Sequence, residues 1–114
     1  MFDSVTISAL TSALDGLSQR QRAIADNIAN VNTPGYRAQR VQFEEALAAS
    51  VAAGDGRVDA TTSPSLEPTR TDGNNVNLDT ETLSSIDTVL RYQFATQAIG
   101  GSFGSVRTAL RTTS

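Results

Sequence analysis

The sequence contains no cysteine and no histidine, and all nine of its basic residues are arginine. These absences exclude disulfides, thiol nucleophiles, thiolate or imidazole metal sites, and the side chain best suited to proton transfer near neutral pH. Carboxylates, hydroxyls and guanidinium groups remain, without the base that normally activates a hydroxyl. The composition therefore argues against an enzyme, and it predicts no catalytic, cofactor-binding or metal-binding residues.

Clusters of positive charge and long hydrophobic runs are also missing. The net charge is −3, and the arginines are spread singly along the chain. Binding of nucleic acid by phosphate neutralisation therefore has little support. No apolar run approaches the roughly 18 residues of a membrane-spanning helix, and the start of the chain lacks the pattern of a cleaved secretory signal. With 114 residues, the chain is expected to form one domain at most.

The clearest periodic signal lies in the first 32 residues. Apolar residues recur at heptad a and d positions between residues 7 and 31, and only Gln21 interrupts them. The pattern predicts a helix with a narrow apolar seam, as in a coiled-coil strand. Gln21 either fixes the register of that seam or simply lies at the surface. The residues predicted to form the seam within the subunit are Leu10, Leu14, Leu17, Ile24 and Ile28.

Residues 33–77 are predicted to contain a turn, a short helix and an irregular linker. Pro34 ends the first helix because it disfavours helical geometry at Thr33 and lacks an N–H group. Gly35 suits the second central position of a type II turn. Residues 41–50 are typical of a short helix with Phe43 and Leu47 on one face. Residues 54–75 are rich in Gly, Asp, Thr, Ser and Pro, which predicts a loop or linker.

Residues 78–114 are predicted to form a second long helix. Its first half carries an apolar seam that is expected to pack against the first helix, formed by Leu83, Ile86 and Leu90. Between residues 89 and 99, apolar side chains point in nearly every direction, and a helix that is apolar all round is buried all round. One short chain cannot surround such a segment. Contacts with neighbouring subunits are therefore predicted for Tyr92, Phe94, Ile99 and Phe103.

The predicted fold class is all-α, with long N- and C-terminal helices that pair as a coiled coil around an irregular middle segment and a short helix. Gly100 and Gly101 either allow close helix packing or bending, or break the last helix. Two function classes fit this fold. One is a structural subunit whose core is completed by its neighbours, and the other is a self-contained helical homodimer acting as an interaction module or export chaperone.

Two segments resemble the axial proteins of the bacterial flagellum. Residues 24–36 resemble the signature of rod, hook and hook-associated families near the end of their N-terminal helix. Residues 72–79 followed by 90–93, together with residues 43–47, are similar to the proximal rod proteins of the FlgB family. The short middle segment leaves no room for the larger inserted domains of hook and distal rod members. The turn motif within the first segment comprises Asn27, Asn30, Asn32, Thr33, Pro34, Gly35 and Tyr36.

The resemblance implies a structural subunit of the proximal rod, polymerised with other axial proteins into a hollow helical drive shaft that transmits torque and surrounds the export channel. The implied partners are other copies of the chain, other proximal and distal rod proteins, and the basal membrane ring and export gate. The implied location is the flagellar basal body, in the periplasmic rod, reached by flagellar type III export. No cofactor, nucleic acid or small-molecule substrate is implied.

The resemblance also suggests roles for the turn motif. Asn27, Asn30 and Asn32 would bond backbone groups at the helix end or across a subunit boundary, or would merely cap the helix. Pro34 and Gly35 would fix the angle at which the chain leaves the wall of the rod.

Overall fold

The structure is a computed structural model that describes residues 3–113, with side chains described for residues 3–101. The elements along the chain are α1 (Ser4–Ala29), β1 (Gln39–Gln42), α2 (Glu44–Ala52), β2 (Thr61–Pro64) and α3 (Leu78–Thr113). The molecule is elongated and measures 67 × 26 × 14 Å. At 1.5 Å per residue, the 36 residues of α3 span about 54 Å, so this helix sets the long dimension.

Side-chain caps start both long helices. Asp3 accepts a hydrogen bond from the Thr6 N–H at 2.8 Å, and this bond lowers the pKa of Asp3. Asn77 accepts bonds from the N–H groups of Asp79 and Thr80 at the start of α3. These bonds satisfy donors that a helix leaves without intrahelical partners.

α1 and α3 pack side by side and run antiparallel. Residues further along α3 contact residues nearer the start of α1. Asn27 meets Glu81, Gln21 donates to Ser85 at 2.9 Å, and Leu17 lies across a shared groove from Tyr92. Gln21, the polar interruption of the predicted seam, therefore contacts the second helix. Residues 30–77 join α1 to α3, and within this middle segment β1 and α2 lie against α1.

The middle segment contains a two-stranded antiparallel sheet, so the all-α prediction is wrong there. Val41 pairs with Thr62, and Gln39 pairs with Pro64 at the other end of the ladder. Residues 41 and 42, predicted to be helical, belong to β1, and α2 starts at Glu44. The strands are short and mostly polar, so they lack the alternation that identifies a strand from sequence. Apart from this sheet, the described chain is mainly helical.

Side chains of α1 cover the outer edge of β1. The Ser65 N–H donates to the Ala38 carbonyl just beyond the ladder, which fixes the alternation of inward and outward backbone groups. The backbone N–H and C=O groups of Gln39 and Val41 therefore point away from β2. The Asn27 side chain bonds both the N–H and the carbonyl of Gln39, and Arg20 donates to the Val41 carbonyl at 2.7 Å. Two side chains of α1 thus substitute for a third strand.

The hydrophobic core lies where β1 crosses the middle of α1. Leu17, Ala23, Val41 and Phe43 are all buried there and pack together. Gly16 lets the Phe43 ring approach the helix backbone, because a Cβ at this position would lie 2.6 Å from the Phe43 Cε1 atom. The Arg20 guanidinium lies 5.0 Å from the centre of the same ring. The core is small, and the middle segment supplies about half of it.

α3 is continuous through Gly100 and Gly101, so the helix-break interpretation of these residues is wrong. A Cβ at either glycine would meet nothing within 4 Å, which means that packing within the described part of the chain does not require glycine there. Among residues 3–113, none of the helices is both long enough and apolar enough to cross a bilayer.

Candidate functional site

The two segments that carry the family resemblance lie against each other. The Gly35 N–H donates to the Asp72 carbonyl at 2.8 Å, and the Asn75 N–H donates to the Tyr36 carbonyl at 3.3 Å. Gly35 and Gly73 both have positive φ, and a Cβ on Gly73 would lie 3.2 Å from the Gly35 Cα. Glycine is needed here for both conformation and close approach. We call residues 27–39 together with residues 70–77 the motif junction.

Asn74 is the centre of the motif junction and is fully buried. Its Nδ2 donates to the Asn30 carbonyl at 2.8 Å and to the Thr33 carbonyl at 2.9 Å. Its Oδ1 accepts from the Val76 N–H at 2.7 Å. Carbonyls just beyond a helix end need partners when they are buried. Asn74 therefore fixes the segment that follows α1, from a position more than forty residues further along the chain.

Asn75 extends the junction to the loop after β2. Its Oδ1 accepts from the Ala38 N–H at 2.7 Å, and its Nδ2 donates to the carbonyls of Ser65 and Glu67. Arg70 adds bonds to the carbonyls of Val31 and Val76, at 2.6 and 2.7 Å. The loop was predicted as an irregular linker, and these bonds order it.

Asn27 connects three parts of the chain. Its Oδ1 accepts from the Gln39 N–H at 2.8 Å and from the Tyr36 hydroxyl at 3.2 Å. Its Nδ2 donates to the Gln39 carbonyl and to Glu81 Oε2, both at 3.1 Å. Glu81 is also fully buried, and Arg40 pairs with its Oε1 at 2.6 Å. Burial raises the pKa of Tyr36. Asn27 thus joins α1, the turn with β1, and α3.

The remaining residues of the turn motif lie at the end of α1. Asn30 donates to the Asp26 carbonyl and accepts from the Thr33 hydroxyl. The Tyr36 N–H donates to the Thr33 carbonyl at 3.2 Å, which closes a turn with Pro34 and Gly35 at its centre. Asn32 is exposed. The three asparagine side chains therefore differ, since that of Asn27 bonds distant segments and that of Asn30 bonds only its local turn.

The predicted seam of α1 lies in two environments. Leu17 and Ile24 are buried, with exposures of 3% and 4%, while Ile28 is 39% exposed. Leu10 and Leu14 are partly buried. Leu17 packs in the core with Phe43 and also borders α3. The seam residues of α1 therefore contact the middle segment as well as the second helix.

The predicted seam of α3 needs correction, because Leu83, Ile86 and Leu90 are 69%, 54% and 59% exposed. They do not pack against α1 of the same chain. The α3 positions directed at α1 follow another heptad register, and they are Glu81, Ser85, Thr88, Tyr92, Ala95 and Ile99. The first half of this α1-facing register is polar, and its residues Glu81 and Thr88 are buried. A hydrophobicity pattern selects the most apolar stripe, so it missed a face held by hydrogen bonds.

The residues predicted to contact neighbours are distributed over both faces. Phe94 is 76% exposed, and Tyr92 is 42% exposed although it lies on the register that faces α1. Ile99 lies on that same register and is partly buried. Phe103 lies outside the described side chains.

Sequence reasoning gave no role to Arg40, Asn74 or Asn75, although these residues help to hold the structure together. The adjacent asparagines were noticed only as part of a resemblance. A side-chain amide that bonds backbone groups need not follow the period of a helix or a strand, and its partners here lie far away in sequence. Among residues 3–101, no cluster of acidic side chains is arranged to hold a metal ion.

The fold and the motif junction define a class: an elongated, mainly helical structural subunit with an apolar helix face that its own chain leaves exposed. Comparison with known proteins specifies it further. The family described as "Flagella basal body rod protein" matches residues 7–37. Flagellar basal body rod protein FlgB of Bacillus subtilis is 30% identical, over 94% of this chain and 94% of that protein.

Two other relatives give the same result. FlgB of Escherichia coli is 30% identical over 87% of this chain and 88% of its own length. FlgB of Borrelia hermsii is 32% identical over 86% of this chain and 90% of its own. The chain belongs to the FlgB family of flagellar basal-body rod proteins. It is a structural subunit of the proximal rod in the flagellar basal body, and it is not an enzyme. The alternative of a self-contained homodimer or chaperone is not favoured.

Proposed function

We propose that this subunit polymerises through the exposed apolar face of α3, with other copies of itself and with other proximal and distal rod proteins. The observation that carries the proposal is the stripe formed by Leu83, Ile86, Leu90 and Phe94, each more than half exposed in the single chain. The spacing of three, four and four residues keeps the stripe on one side of the helix. Soluble monomers rarely expose large continuous apolar patches, and such patches mark interaction sites.

In this proposal the stripe forms a coiled coil with a helix of a neighbouring subunit. Leu83, Ile86 and Leu90 have the a/d spacing that such pairing needs, and α1 of the same chain is occupied by the opposite face of α3. Residues 1–32 and 78–114 are then the assembly helices, and residues 33–77 hold them in register. Contacts with neighbouring subunits are also proposed for Tyr92, Ile99 and Phe103; Tyr92 and Ile99 lie on the register that faces α1, so they would contact a neighbour separately from the stripe.

The assembled form that we propose is a hollow helical drive shaft that transmits torque and surrounds the export channel. Its further partners are the basal membrane ring and the export gate, and the subunit reaches the periplasmic rod by flagellar type III export. The family membership supports this assignment. A rod that carries torque needs stiff subunits. Two antiparallel helices fastened by the buried bonds of Asn27, Asn74 and Asn75 are suited to that load.

The change Phe94→Asp tests the proposal. A charge on the exposed stripe should leave the helical content and export of the chain unchanged, because Phe94 contributes little to packing within the chain. Rod assembly should fail, because burying the carboxylate against an apolar neighbour is unfavourable. The measurement is swimming in soft agar, together with electron microscopy of isolated basal bodies.

The matched control is Thr96→Asp, which places the same charge at an exposed position of α3 that lies outside the stripe. Cells with this control should swim. Normal swimming and intact rods with Phe94→Asp would overturn the proposal.

A further inference from the structure

Leu66 is the most exposed large apolar residue among the described side chains, with 92% of its surface accessible. It lies in the loop that follows β2 and is not part of the apolar stripe of α3. Two prolines, Pro64 and Pro68, flank this loop and restrict its backbone. A leucine in this setting contributes nothing to the packing of its own chain.

The backbone on either side of Leu66 is held firmly. The Asn75 Nδ2 donates to the Ser65 carbonyl at 3.2 Å and to the Glu67 carbonyl at 3.1 Å. The Ser65 N–H donates to Ala38, and the Ser65 hydroxyl accepts from the Glu67 N–H at 3.2 Å. Ser65 and Asn75 are both 5% exposed. The loop therefore presents Leu66 from a fixed base, which reduces the ordering entropy lost on binding.

A groove of about 340 Å³ lies between α1 and α3. Apolar groups of Leu17, Val89 and Tyr92 contribute to its lining, and Ser18 and Gln93 lie along it. An apolar cavity of about 150 Å³ already binds benzene in a protein interior, so the groove has room for a leucine side chain. It is open to solvent in the single chain, and Val89 and Tyr92 are 41% and 42% exposed.

The charges beside the two features are complementary. Glu67 follows Leu66 directly, is exposed, and forms no ion pair within residues 3–101. Arg22 is also exposed, likewise pairs with no carboxylate of the described residues, and donates to the Ser18 hydroxyl at the groove at 3.3 Å. An acidic group beside the leucine and a basic group beside the groove favour one orientation of docking.

We propose that Leu66 of one copy inserts into the α1–α3 groove of a second copy, with Glu67 pairing with Arg22 of that copy. The inference rests on the proposed polymerisation and names a second contact for it. The inserted residue and the groove are different surfaces of the same chain, so the contact is heterologous and each copy can bind one neighbour on either side. Such contacts generate rings or open helices. The surface area that one inserted leucine buries is small, so this contact acts together with the α3 stripe.

The absence of cysteine allows a direct test by disulfide cross-linking. Leu66→Cys and Gln93→Cys are introduced together, in cells whose only copy of the protein is the variant. Isolated basal bodies are oxidised and analysed without reductant. A product of two copies, with higher multiples, is expected because residue 66 of one copy lies beside residue 93 of the next. The matched control replaces Gln93→Cys with Gln19→Cys, at an exposed position of α1 that does not line the groove, and should give no product.

The outcomes separate this inference from the proposed function. Intact basal bodies without a 66–93 product would overturn the inference and leave polymerisation through the stripe standing. A product formed by Leu66→Cys alone would also overturn it, because that would indicate a symmetric contact. A product with a different rod protein would overturn the choice of a second copy. As a second measurement, Glu67→Arg and Arg22→Glu should each lower the cross-link yield, and combining them should restore it.

Discussion

Asn27 donates a hydrogen bond to Glu81 at 3.1 Å, and neither side chain is accessible to solvent. The bond joins the end of α1 to the start of α3. Arg40 from β1 pairs with the second oxygen of the same carboxylate. A buried charge is stable only when such partners compensate its lost hydration. This polar contact therefore fixes the register of the two long helices at this end, because its hydrogen bonds form in only one relative position. Apolar packing alone would allow the helices to shift along each other.

Removing the Glu81 carboxylate should strongly destabilise the chain. Glu81→Ala leaves Arg40 without its ion-pair partner and removes one of the two acceptors of the Asn27 Nδ2 group, and breaking a buried pair costs about 3–5 kcal/mol. Urea unfolding followed by far-ultraviolet circular dichroism measures the change in the free energy of unfolding. Glu45→Ala is the control, since Glu45 is exposed and forms no ion pair within the described residues. Equal stability of the two variants would contradict the assigned role.

Asn74 should be more sensitive to substitution than its exposed counterpart Asn32. Asn74→Ala removes one of the two donors to each of the carbonyls of Asn30 and Thr33, and it leaves the buried N–H of Val76 without a partner, at about 1–3 kcal/mol for that group. Asn74→Asp should be worse still, because a carboxylate oxygen would face two carbonyl oxygens. Hydrogen exchange at residues 30–36 measures the loosening of the turn. Protection that survives Asn74→Asp would show that other bonds hold it.

Gly16→Ala should destabilise the core by about 1–3 kcal/mol through overpacking. The added Cβ would lie 2.6 Å from the Phe43 Cε1 atom, so the ring must move. Combining the change with Phe43→Leu should recover part of the loss. Gly101→Ala is the matched control, since a Cβ there meets nothing, and helix propensity should raise stability by up to about 1 kcal/mol. Thermal unfolding of these three variants, compared with the unchanged chain, distinguishes packing from propensity.

The ion pair of Arg20 with Glu44 should make a small, pH-dependent contribution to stability. The hydrogen bond from Arg20 lowers the pKa of Glu44 from 4.5 to about 2. Since the folded-state pKa lies below the unfolded-state value, this stabilisation is complete above pH 4.5 and is lost as the pH falls towards 2. Glu44 is 43% exposed, so solvent screening limits the effect to less than about 1 kcal/mol.

The measurement for this pair is urea unfolding of the chain and of Glu44→Gln over a series of pH values. The difference in unfolding free energy should be present near neutral pH and should vanish at the acidic end. Glu45→Gln serves as the control. A difference that stayed constant with pH would exclude the ion pair as its source.

Local rules were enough to predict the long helices and the turn between them. The heptad repeat of α1 and the Pro34–Gly35 pair are short-range signals, and the turn forms where these residues require it. The sheet could not be predicted because β1 and β2 are stabilised by distant partners. Asn27 and Arg20 bond the outer edge of β1, and neither residue is near it in sequence. Pro64, which lacks an N–H group, limits pairing at the open edge of β2.

The sequence by itself determined what kind of protein this is. Its missing cysteine and histidine excluded much of enzyme chemistry, its heptads specified long helices, and two motifs indicated the rod family. Only the tertiary structure decided which face of α3 meets α1. Periodicity favoured the apolar stripe of Leu83, Ile86 and Leu90, yet the chain buries Glu81 and Thr88 and leaves those three apolar residues exposed. A single sequence displays hydrophobicity position by position, whereas the partners that make a buried charge stable come together only when the chain folds.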